Sequence, residues 1–124
     1  MYVAGREHPN REPARAFLAR VKSGEVEGCT SAKVLQEILY RYAALQRRDL
    51  AHEVYDIFVE ICPVVFDVTL ADADRALQVL SEFEHLSARQ AVHAAVMLNQ
   101  GIDCIATFDG GFDGVPGVKR AELR

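Results

Sequence analysis

From residue 10 to residue 22 the chain sets Ala14, Phe17, Leu18 and Val21 on one side of a helical period, with charged residues between them. That spacing predicts an amphipathic helix over 10–22. Ser23-Gly24-Glu25 breaks it, and Val26 to Thr30 reads as a short extended piece. Ser31 opens a second helix, with Val34, Leu35, Ile38, Leu39 and Tyr42 at helical spacing. Asp49 opens a third, whose expected buried residues are Val54, Ile57, Phe58 and Ile61. Pro63 marks its end, and Val64-Val65-Phe66 has the β-branched and aromatic character of a strand. Thr69, with Asp72 three residues on, caps a fourth helix. Its predicted core face is Leu70, Ala73, Leu77 and Leu80, with Phe83 beyond. Ser87 begins an alanine-rich helix that Asn99-Gln100-Gly101 closes, the glycine standing at C′. Asp103 to Thr107 carries the strongest strand signal, and Val118 to Ala121 a weaker one.

Strands that alternate with helices predict an α/β sandwich with a mostly parallel sheet. Met1 to Gly5 already reads as helix, so the first strand expected of such a sheet is missing. At 124 residues the chain fits a single domain spanning 1–124. No run of 18 apolar residues suggests a membrane span, and the first residues lack the apolar core of a signal peptide, which points to the cytoplasm. Cys29, Cys62 and Cys104 form an odd set without close spacing, each in or beside an apolar stretch, so buried free thiols are expected. The net charge of −4 argues against bulk electrostatic binding of nucleic acid, although a local basic face can coexist with an acidic pocket. Arg41, Arg47 and Arg48 form one basic group and Arg11, Arg15, Arg20 and Lys22 another; both read as solvated helix faces.

The stretch Cys-Ile-Ala-Thr-Phe-Asp-Gly-Gly-Phe-Asp-Gly-Val-Pro-Gly, residues 104–117, sets Asp109 and Asp113 among glycines just after a strand. Beyond the carboxyl ends of parallel strands is where ligands collect in open α/β sheets. The aspartates could bind a metal, cap a turn, or keep a loop wet. An EF-hand loop needs a glutamate at its twelfth position; counted from Asp109, that position is Arg120. A phosphate-cradling loop lacks its Gly-Lys-Ser/Thr. Glu37 lies beside apolar Val34, Ile38 and Leu39, a costly place for a carboxylate unless it is paired or holds a cation. It could equally face solvent or pair with Arg41 one turn on. His93, on the alanine-rich helix, reads as a packed residue. Ser31 with His93 as a hydrolase pair has no nucleophile-elbow sequence behind it.

Three stretches together resemble the PIN-domain family, and within it the VapC-type toxin ribonucleases of toxin–antitoxin pairs. Thr30-Ser31-Ala32-Lys33-Val34-Leu35-Gln36-Glu37-Ile38-Leu39-Tyr40-Arg41 is similar to the helix bearing the family's second acid, here Glu37. Leu86-Ser87-Ala88-Arg89-Gln90-Ala91-Val92-His93-Ala94-Ala95 is similar to its Arg-Asp-Ala-Leu-His-Ala-Ala helix. Ile105-Ala106-Thr107-Phe108-Asp109-Gly110-Gly111-Phe112-Asp113, followed by Pro116-Gly117-Val118, is similar to its fourth-acid loop. The resemblance implies a three-layer α/β/α domain with a central parallel sheet. It also implies a cluster of carboxylates that holds Mg²⁺ or Mn²⁺ and cleaves RNA with a metal-activated water. Hard divalent cations take oxygen ligands, and a bound metal lowers the pKa of its water.

The chain departs from the family pattern. The strand that ends in the first acid is absent before Met1, either because it lies upstream of an internal methionine or because the chain is shortened. The third acid aligns with Gln90, and the extra acid of the fourth-acid loop with Gly111. Glu37 and Asp109 remain as the catalytic and metal-ligating candidates, with Asp113 as a weaker helper and Gln90 at a degenerate position. Ser87 and Gln90 also stand at capping-box spacing, so Gln90 has a structural use as well. Two functions are expected from this pattern. One is a Mg²⁺- or Mn²⁺-dependent endoribonuclease of a toxin–antitoxin pair, weakened by Gln90. The other is a PIN-fold module that forms a homodimer and binds an antitoxin or RNA without cutting.

Overall fold

A computed structural model describes residues 9–121 and 123. The helix expected over Met1 to Gly5 lies outside the described residues. The chain divides into two compact units, Met1–Asp67 and Val68–Arg124.

In the N-terminal unit, α1 (Arg11–Lys22) leads to β1 (Cys29–Ser31), α2 (Ala32–Ala44), α3 (Arg48–Ile61) and β2 (Val64–Phe66). β1 and β2 pair in parallel, with Cys29 opposite Val64, Thr30 opposite Val65 and Ser31 opposite Phe66. Ser31 ends the strand and caps the helix at once. Its backbone stays extended while its Oγ accepts the Val34 N–H at 3.4 Å, satisfying one of the helix's unpaired first-turn donors. Gln46, at φ 57°, is the left-handed residue that closes α2. Arg47 N–H donates to the Tyr42 carbonyl at 2.8 Å and Gln46 N–H to Ala43 at 3.0 Å, the paired bonds of a Schellman ending. Leu35, Ile38 and Tyr42 then pack with Leu50, Ala51 and Val54 of α3. Leu39, expected in this core, is exposed; on α3 Val54 is buried as expected and is joined by Leu50 and Ala51 one turn earlier, while Ile57, Phe58 and Ile61 are only half-buried.

In the C-terminal unit, α4 (Leu70–Glu82) and α5 (Ala88–Gln100) precede β3 (Cys104–Ile105), a 3₁₀ turn at Gly110–Phe112 and β4 (Lys119–Arg120). β3 and β4 are again parallel, with Cys104 opposite Lys119 and Ile105 opposite Arg120. Both expected strands in this unit are present but short. α5 has the predicted ends: Ser87 and Gln90 form a full capping box, and Gly101 takes the left-handed C-cap at φ 70°. Its alanines 91, 94 and 95 are buried against Ala76 and Val79 of α4, with Phe112, Val115 and Val118 completing the core. Side chains this small let two helices approach closely.

The core face of α4 differs from the predicted one. Leu70 is 78% and Leu77 66% exposed, and Leu80 is exposed as well. The buried stripe is Asp72, Ala76 and Val79. Both stripes have helical spacing, and the polar one faces inward because Asp72 is fully paired. Its Oδ2 accepts the Thr69 N–H at 2.9 Å and the Thr69 hydroxyl at 3.1 Å, while its Oδ1 accepts from Asn99 Nδ2 at 2.8 Å. The cysteines are also corrected in part. All three are free, but only Cys62 is buried; Cys29 and Cys104 are exposed. Among the described residues no helix is long and apolar enough to cross a membrane.

Candidate active site

The loop after β3 is built around Asp109. Thr107 Oγ accepts the Asp109 N–H at 3.1 Å, turning the chain out of the strand. Asp109 then caps the 3₁₀ turn, its Oδ1 accepting the Gly111 N–H at 2.8 Å. Phe112, 4% exposed, anchors the turn in the core below. Two side chains brace it from outside. His85 Nε2 meets the Gly111 carbonyl at 3.1 Å, and Gln90 Nε2 donates to Asp109 Oδ2 at 2.6 Å. The loop that carries the acid is thus fixed from β3, from α5 and from the segment between α4 and α5.

These contacts keep Asp109 ionised. The Gly111 N–H, the Gln90 amide and the charges of Arg89 and Arg120 hold its carboxyl below the usual carboxylate range, against a smaller opposing effect of burial. Asp72 is held low by the Thr69 N–H first, then by Asn99 and the Thr69 hydroxyl. A carboxyl whose folded pKa is lowered contributes stability that is complete above its unfolded value, about 3.9, and is lost as the pH falls below it. Thermal unfolding is therefore expected to be flat from about pH 7 to 5 and to drop steeply below about pH 4. Asp72→Asn should flatten that drop, as followed by circular dichroism across the pH series.

Asp113 is held by Arg120, whose charge also acts on Asp109. Arg120 grips it with a two-pronged pair, Nε to Oδ1 at 2.9 Å and Nη2 to Oδ2 at 3.0 Å. Arg120, which in the sequence only rules out a calcium loop, is the cation that occupies the second aspartate. Glu37 lies half-buried on α2, one residue before the fully buried Ile38. His93 is half-buried on α5. Ser31 has its hydroxyl engaged as the α2 cap.

Of the candidate residues, the structure brings Gln90 and Asp109 into direct contact. The bond between them and the His85 brace were not legible in the sequence, since they join positions 19 and 26 residues apart. A divalent cation of the Mg²⁺ kind needs several oxygens turned toward one point. Both Asp109 oxygens instead receive N–H hydrogens, which compete with a cation for them. Gln90 turns its NH₂ to Asp109 and its oxygen to Ser87, and both Asp113 oxygens face Arg120. Among the described residues no three His, Cys, Asp or Glu side chains gather to hold an ion. In this form Gln90, Asp109 and Asp113 do not turn a set of open oxygens toward a divalent cation.

The PIN domain family model matches residues 1–118. VapC ribonuclease Mb1869c of Mycobacterium bovis is 38% identical over 120 residues, covering 97% of this chain and 92% of the relative. Ribonuclease VapC13 of Mycobacterium tuberculosis has the same identity and coverage. Ribonuclease VapC23 of Mycobacterium tuberculosis is 32% identical over 109 residues, 88% of this chain and 86% of the relative. No solved structure matches. With parallel-paired strands between helices, the Asp109 loop at the end of β3, and likeness along nearly its whole length, the chain belongs to the PIN-domain family.

Proposed function

We propose that the protein is an endoribonuclease of a toxin–antitoxin pair, hydrolysing RNA phosphodiester bonds with Mg²⁺ or Mn²⁺ as the required cation. The observation that carries this reading is the likeness over 97% of the chain to relatives named ribonucleases. Support from the site is an ionised Asp109 on a braced loop at the end of a parallel strand, with Glu37 on α2 in the stretch that resembles the family's second acid. Glu37 and Asp109 are the proposed catalytic carboxylates. Asp113 and Gln90 are the weaker metal-facing positions, since Arg120 and the capping box occupy them. An antitoxin protein is the proposed partner, RNA the substrate and the cytoplasm the place of action. The test is cleavage of a labelled single-stranded RNA at millimolar Mn²⁺. Cleavage that EDTA abolishes is expected. RNA binding without cleavage by both the wild type and Gln90→Asp would favour the non-catalytic module instead.

The 124 residues act as one cooperative domain in this reading, in keeping with their length. A homodimer is proposed on the strength of α4, where Leu70, Ala73 and Leu77 form an exposed apolar stripe about 10 Å long. A stripe on one helix can meet its own copy across a two-fold axis. Leu77→Glu is expected to halve the mass seen by light scattering. A wild-type chain that runs at 13.8 kDa at micromolar concentration would remove the dimer from the proposal.

A further inference from the structure

The side-chain amide of Gln90 has two engagements with opposite chemical demands. Its Oε1 accepts the Ser87 N–H at 2.9 Å, and its Nε2 donates to Asp109 Oδ2 at 2.6 Å. Turning the amide over would set NH₂ against N–H at one end and oxygen against carboxylate at the other. The orientation is therefore dictated by the network, and the group facing Asp109 is the donor. Gly111 completes the arrangement. A Cβ there would strike Gln90 Nε2 and would stand only 3.0 Å from both Asp109 Oδ1 and Gln90 Cδ. The amide thus fills the space a side chain at 111 would need.

We propose that Gln90 and Gly111 are a coupled pair that locks Asp109 in a cation-free form, so that a divalent cation reaches this loop only by displacing the Gln90 amide. The proposal rests on Asp109 being the cation-facing acid of the proposed function. Gln90 is a positioning residue: its amide hydrogens do at Asp109 Oδ2 the electrostatic work a cation would do. This makes the resting loop ordered without metal and its cation affinity low.

The same chain shows how the lock can be removed without losing the helix cap. α4 carries an identical capping box with aspartate at the third helical position, Thr69 with Asp72. Gln90→Asp is therefore compatible with the cap of α5, while it deletes the amide hydrogens and adds a carboxylate. Gln90→Ala deletes the lock and adds nothing.

The test is Mn²⁺ titration by calorimetry on the full chain, with thermal unfolding of the metal-free proteins alongside. Gln90→Asp is expected to bind Mn²⁺ at least about 10-fold more tightly than wild type, within the range found for groups that orient metal ligands. Gln90→Ala is expected to bind at least as tightly as wild type, because a competitor has gone. Weaker binding by Gln90→Ala would overturn the proposal, since it would make the Gln90 oxygen a ligand. Gly111→Ala is expected to lower the metal-free Tm by about 3–6 °C in the wild type and by less than half of that in Gln90→Ala. An equal loss in both backgrounds would break the coupling. These readouts do not involve RNA: the expected titrations without any RNA cleavage would leave the lock standing and remove the nuclease reading, and the reverse pattern would do the opposite.

Discussion

Asp109→Asn is expected to lower Mn²⁺-dependent RNA cleavage by about 100-fold, equivalent to about 2.7 kcal/mol of transition-state stabilisation. The substitution is close to isosteric. The asparagine oxygen can still accept the Gly111 N–H that shapes the turn, so the loop keeps its cap. What disappears is the negative charge, together with one of the two acceptors. Asp109 is exposed, so the same change, which also gives up the bond from Gln90, should move Tm by no more than about 5 °C. Glu37→Gln is expected to show a loss of the same order. The measurement is kcat/KM on a fluorescent RNA, with unfolding curves as the control. A loss below about threefold at Asp109 would show that this carboxylate has no part in the reaction.

The largest stability effect is expected at Asp72, far in role from any chemistry. Only 2% of its surface is exposed, and it accepts from the Thr69 backbone, the Thr69 hydroxyl and Asn99. Asp72→Ala leaves the Thr69 N–H and the Asn99 amide without their acceptor in a part-buried setting. Hydrogen bonds to charged groups are worth about 1.5–3 kcal/mol, and an orphaned buried donor has a comparable penalty, so a loss of about 3 kcal/mol is expected. For a chain of 124 residues that is roughly a 10 °C fall in Tm. Asp74→Ala, on the exposed face of the same helix, should change stability by less than about 0.5 kcal/mol. Equal effects at the two positions would refute the role given to Asp72.

What could be seen in the sequence was what local chemistry encodes. Ser31, Thr69 and Ser87 stand three residues from the groups they cap, and Gly101 sits where a left-handed residue must end a helix. Short range also made Val64–Phe66 readable as a strand. The face of α4 was not readable, because two stripes share its helical period. Leu70, Ala73, Leu77 and Leu80 looked inward by hydrophobicity. Asp72 wins because Asn99, 27 residues away, supplies the donor that makes its burial tolerable. Strand length in the C-terminal unit was overread for a related reason. The β3 ladder is limited by what β4 offers opposite it, the bonds from Lys119 to Asp103 and from Ala121 to Ile105, and Thr107 is already turning toward Asp109.

The candidate site divides along the same line. Asp109 was readable from its place after a strand, and Gln90 from its spacing to Ser87. Their bond to each other was not, nor was the grip of Arg120 on Asp113. Both are pairings between elements that only the fold brings together. In the structure Asp109 caps the turn and Asp113 forms an ion pair with Arg120.

The most direct test of the central claim is cleavage of a labelled single-stranded RNA by the purified chain across a Mn²⁺ series, with Glu37→Gln, Asp109→Asn and Gln90→Asp run alongside. Cleavage that needs Mn²⁺, falls about 100-fold in the first two variants and rises in the third is the expected result. No cleavage by the wild type or Gln90→Asp at any Mn²⁺ concentration, or cleavage untouched by losing both acids, would contradict it.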